Sequence, residues 1–103
     1  MRVAVLVSDD LRWALLLART WVGAGDGVQV VLLDAAAAAA RPGHEDAAAV
    51  GAALRDGVVV GVHDDALRSR ALTGGGLVDG AKVVDLDEIA DLVTEGADKA
   101  VWL

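Results

Sequence analysis

Short runs of β-branched and aliphatic residues alternate along the chain with longer amphipathic stretches that close on glycine. Residues 2–7, RVAVLV, are apolar after Arg2, as expected for a strand buried on both faces of a parallel sheet. Ser8-Asp9-Asp10 ends the run, and any of the three suits a helix cap. Residues 11–22, LRWALLLARTWV, contain no breaker and stop at Gly23. Trp13, Leu15, Leu16, Leu17, Trp21 and Val22 point in too many directions for one buried stripe. A helix apolar most of the way round is covered on a second side, and in a chain this small a partner subunit is the expected cover.

After a glycine turn at 23–27, residues 28–33 form the second strand, with Asp34 at its tip. The alanine run 35–40 is low in complexity and fits a mobile or helical surface segment. Pro42-Gly43 breaks the chain, and a helix over 45–56 stops at Gly57. The third strand spans 58–62 and leads to the polar tip His63-Asp64-Asp65, a short helix over 66–72 and a glycine-rich return over 73–80. A fourth strand over 82–84 precedes Asp85-x-x-Glu88, a capping box that opens a helix to Thr94. The fifth strand covers 99–103. This alternation predicts a three-layer α/β/α architecture, a five-stranded parallel doubly wound sheet with right-handed crossovers. At 103 residues it is expected as one domain, burying roughly two thirds of its unfolded surface.

Composition narrows the function classes. Hydrophobic residues make up 55% of the chain, but its only aromatics are three Trp, so Val, Leu and Ala build the core. A net charge of −7 argues against nucleic acid and against an anionic membrane surface, both of which call for clustered Lys and Arg. The absence of cysteine removes disulfide, zinc–thiolate and thiol chemistry within the chain. The first apolar run is short for a signal peptide, and none approaches the ~20 residues of a membrane span. A soluble, cytoplasmic protein is expected.

Candidate chemistry gathers at the strand tips, because open parallel sheets bind ligands beyond the carboxyl ends of their strands. Those tips carry Ser8, Asp9 and Asp10, then Asp34, then His63, Asp64 and Asp65, then Asp85, with Arg68 and Arg70 on the short helix after His63. No dinucleotide fingerprint or Walker loop follows a strand. Asp64 or Asp65 is expected to cap the short helix, and Asp85 to cap its own. Arg68 and Arg70 pair with Asp64 and Asp65 by default, with anion binding as the alternative. His63, between an apolar strand and two carboxylates, is the better functional candidate. Asp9-Asp10 resembles the acidic pair of response-regulator receiver domains, but a receiver needs a Lys ending its fifth strand, and Lys99 begins this one.

Three stretches resemble the DsrE/DsrF/DsrH family of sulfur-relay subunits, most closely its DsrH/TusB branch. They are VVVGVHDDALRSRALTG at 58–74, VVDLDEIADLV at 83–93 and the ending DKAVWL at 98–103. Ala71 stands where the family's Ala-Arg-Gly-Leu-like run has glycine. The resemblance implies small α/β subunits that assemble, with a persulfide-forming cysteine ending the third strand of those that carry sulfur. His63 stands in that place, so this chain is not the sulfur carrier.

Two functions are consistent with these features. The first is a non-catalytic, cysteine-less subunit of a homo- or hetero-oligomer, with cysteine-bearing DsrE/F-like subunits as candidate partners. Its contact surface is expected at Trp13, Leu16, Leu17 and Trp21, and it calls for no cofactor and no metal. The second is a protein that binds a small ligand or a divalent metal, or an enzyme, using His63 with Asp9, Asp10 or Asp34.

Overall fold

The computed structural model describes residues 1–70, 72 and 76–103, and its strands and helices alternate as the sequence predicts. Strands β1 (Arg2–Val7), β2 (Gly27–Leu32), β3 (Val59–His63), β4 (Lys82–Val84) and β5 (Lys99–Trp102) form one parallel sheet in the order β4-β3-β2-β1-β5. Helices α1 (Leu11–Gly23), α2 (Ala47–Arg55), α3 (Asp64–Ser69) and α4 (Leu86–Asp91) lie between them. A 3₁₀ helix at Asp34–Ala40 and a π-helical turn at Leu92–Gly96 complete the connections.

The strand order dictates where the helices fall. From β1 to β4 every connection steps to the neighbouring strand in one direction, so right-handed crossovers keep α1, α2 and α3 on one face. The last connection returns across the whole sheet and carries α4 to the other face. Alternate strand residues follow suit. Val3, Val5, Val7, Val30, Leu32, Val60 and Val62 pack with α1, α2 and α3, whereas Leu6, Val31 and Val84 pack with Ile89 of α4. Helix α1 enters the first core through Leu11, Ala14, Leu15 and Ala18, an i, i+3, i+4, i+7 stripe. The second layer is thin by comparison, since six residues of α4 and one π turn span a face of five strands.

The alanine run is not a surface segment. Ala36, Ala37, Ala39 and Ala40 are buried, because side chains this small let the 3₁₀ helix lie against β3, α2 and α3. Strand β3 runs one residue further than the apolar pattern implies, since His63 pairs with Val84 of β4. Helix α3 therefore starts at Asp64 and ends at Ser69. Ala71, at the end of the helix expected over 66–72, and residues 73–75 of the glycine-rich return lie outside the described residues. Helix α2 is shorter than expected at both ends, and the helix expected to reach Thr94 changes to π geometry after Asp91. Among the described residues no helix is long and apolar enough to cross a membrane.

Candidate functional site

Strands β3 and β4 are neighbours whose connections leave toward opposite faces, α3 to one side and α4 to the other. Their carboxyl ends therefore flank the topological switch point, where an open parallel sheet forms its crevice. An open cleft of about 380 Å³ lies there. His63, Asp64, Asp65 and Arg68 line one wall, and Asp85, Leu86 and Asp87 the other. An apolar hollow of about 310 Å³ adjoins it across Asp64 and Arg68, lined by Leu67, Leu72, Leu77 and Val83 among others.

Most charges in the cleft are already matched. The Arg68 guanidinium lies 3.2 Å from Asp64 and 3.5 Å from Asp65, the i, i+4 and i, i+3 partners on α3. One Asp64 oxygen accepts the Asp65 backbone N–H at 2.6 Å, and the His63 Nε2 stands 3.7 Å from the same oxygen. That separation is an ion-pair distance when the imidazole is protonated, and too long for a hydrogen bond. Partial desolvation raises the Asp64 pKa, but the Arg68 hydrogen bond, the Asp65 N–H and the positive charges of Arg68 and His63 lower it. The net result is a carboxyl held below its ordinary value.

Neither Asp64 nor Asp65 caps α3. His63 occupies the N-cap position without a side-chain bond, and the two carboxylates lie in the first turn. Because β3 extends to His63, the capping geometry expected of an Asp falls one residue too early. Asp85 does cap α4. Its Oδ1 accepts the Glu88 N–H at 2.8 Å while Glu88 Oε1 accepts the Asp85 N–H at 3.2 Å, a complete capping box.

The other strand-tip residues do not line this cleft. Ser8 Oγ accepts the Trp102 indole N–H, and Asp10 takes the N-cap position of α1 without a side-chain bond. Asp9 is exposed, and Asp34 opens the 3₁₀ helix at φ 49°, a left-handed conformation that Asp tolerates. Arg70 is exposed at the end of α3 and forms no ion pair among the described residues. Leu86 and Asp87 are the cleft residues that the strand-tip reading missed. Only the strand order brings the start of α4 beside His63, and an alternating pattern does not encode strand order. Among the described residues no three His, Asp or Glu side chains stand close enough together to hold a metal ion. The divalent-metal form of the second reading therefore lacks a ligand set there.

On α1, Trp13 and Leu16 are exposed and Leu17 is half-buried, whereas Trp21 turns inward and packs against the main core. The helix thus carries its apolar surface on two sides, the inner one covered by the sheet.

No protein-family model and no curated protein matches the sequence. Solved structures do. The ychN protein from E. coli superposes with a TM-score of 0.91 at 17% identity, covering 100% of this chain and 99% of that one. A protein of unknown function from Methanobacterium thermoautotrophicum superposes with a TM-score of 0.79 at 23% identity, over 99% of this chain and 98% of that one. The chain shares the five-stranded α/β fold of these structures over its whole length.

Proposed function

We propose that the chain is a non-catalytic subunit that acts through assembly in a sulfur-relay-type complex of DsrE/F/H-like proteins. The observation that carries the reading is His63 at the end of β3, in a chain without cysteine. The family resemblance puts the sulfur-carrying thiol at that position. An imidazole forms no persulfide, and the adjoining Asp64 and Asp65 disfavour a thiolate there. The exposed Trp13 and Leu16 support the assembly half of the proposal. Large apolar side chains grouped on one helix face mark a contact surface rather than a solvated one.

Size-exclusion chromatography with light scattering tests the role. The expected mass is a multiple of 10.5 kDa at micromolar concentration. A clean monomer that acquires no DsrE/F-like partner would contradict it.

A second reading, small-ligand binding between β3 and β4, is favoured by the cleft at the switch point. It ranks below the first because Arg68 and Asp85, the groups best placed to grip a ligand, are engaged within the protein.

A further inference from the structure

An apolar hollow and an acidic cleft meet at the β3–β4 switch point, with Asp64 and Arg68 in the walls of both. The hollow, about 310 Å³, has Leu67, Leu72, Leu77 and Val83 in its lining, a volume at the small end of ligand pockets. Val83 at the hollow and Leu86 at the cleft are large apolar side chains that the fold leaves exposed. An apolar recess edged by a few polar groups is the usual build of a small-molecule site.

Charge selects the ligand. With His63 counted neutral, the cleft sets Asp64, Asp65, Asp85 and Asp87 against Arg68, a net charge of −3. Arg68 is taken up by Asp64 and Asp65, Asp64 is engaged through both oxygens, and Asp85 Oδ1 accepts the Glu88 N–H. Asp87 makes no hydrogen bond or ion pair among the described residues. The cleft therefore has acceptors left to offer, the Asp87 carboxylate above all, and an anion finds no unengaged Arg or Lys there. A metal ion needs several oxygens within about 2.0–2.6 Å, and the acidic and His side chains described do not converge so closely. An ammonium group asks less, since its N–H donors bond separately and an attached hydrocarbon body supplies further contact.

We infer that this site takes a small amphiphilic organic cation, a primary amine with its ammonium against Asp87 in the cleft and its hydrocarbon body in the hollow. The inference rests on the small-ligand reading given second above and names the ligand class. It is independent of the assembly role.

The probe is 3-phenylpropylamine, which is protonated at pH 7 as a Lys side chain is. Neutral 3-phenylpropanol and anionic 3-phenylpropionate keep the body and change the head. In two-dimensional amide NMR spectra of the full chain, the amine is expected to shift His63, Asp65, Val83 and Leu86 saturably. It should bind about five-fold more tightly than the alcohol, and the carboxylate should not bind. Asp87→Asn is expected to remove most of the preference for the amine, and Val83→Asn to weaken amine and alcohol alike. Both positions are exposed, so neither change empties the core, and the same spectra verify folding. Alcohol or carboxylate binding in the cleft as tightly as the amine would overturn the charge selection and leave the small-ligand reading standing. Cleft amides unmoved by all three probes would overturn the inference and that reading together.

Discussion

The indole N–H of Trp102 donates to the hydroxyl oxygen of Ser8 at 3.0 Å, tying the end of edge strand β5 to the tip of β1. Main-chain bonds reinforce the join, since Ser8 N donates to Leu103 O and Leu103 N to Leu6 O, each at 2.8 Å. Trp102 remains exposed, so the bond contributes at the modest end of the usual range. Ser8→Ala is expected to lower stability by about 0.5–1 kcal/mol in urea unfolding. Trp102→Phe, which loses the same donor, is expected to match it, and a loss in only one of the two would refute the link.

Gly61 of β3 lies close to the Val84 side chain of β4, and a Cβ at Gly61 would lie 3.1 and 3.3 Å from the two Val84 methyl carbons. Val84 is buried and β-branched, so it has little freedom to move aside. Gly61→Ala is expected to cost about 1 kcal/mol or more by prying β4 from the sheet. Adding Val84→Ala should make Gly61→Ala less costly than in the wild-type background, which a double-mutant cycle measures.

The capping box at the start of α4 is intact on both sides. Asp85→Ala is expected to destabilise by about 1 kcal/mol, and Asp85→Ser by less, because Ser also accepts the Glu88 N–H. Equal losses for the two replacements would mean that the cap contributes nothing.

Asp64 gives a pH dependence of known sign. Its folded pKa lies below its ordinary value of 3.8, so the unfolded chain takes up the proton first as pH falls. The stability it contributes is fully present above the unfolded pKa and is lost as pH drops through the folded pKa. Urea unfolding of wild type and Asp64→Asn should differ at pH 6 and converge toward pH 3. A gap that widens on acidification would reverse the assignment.

The fold was legible because its signals are local. An apolar run ended by acidic residues marks β1, and Asp-x-x-Glu marks the start of α4 down to the bonded pair. The alanine run misled because alanine suits a solvated surface and a tight core equally, and only its neighbours decide. His63 was legible as a strand-end residue but not as a strand member, since that membership depends on pairing with Val84 some twenty residues later. The sequence sets Asp9, Asp10 and Asp34 at strand tips alongside His63. The order β4-β3-β2-β1-β5 puts only Asp85 of the other strand tips next to it, together with Leu86 and Asp87. Trp21 counted toward an interface by hydrophobicity alone, and helix phase turns it to the core.

Sedimentation velocity of the unmodified chain, over a concentration series, tests the assembly role most directly. The expected result is a discrete oligomer at micromolar concentration. A single 10.5 kDa species at every concentration would contradict self-assembly.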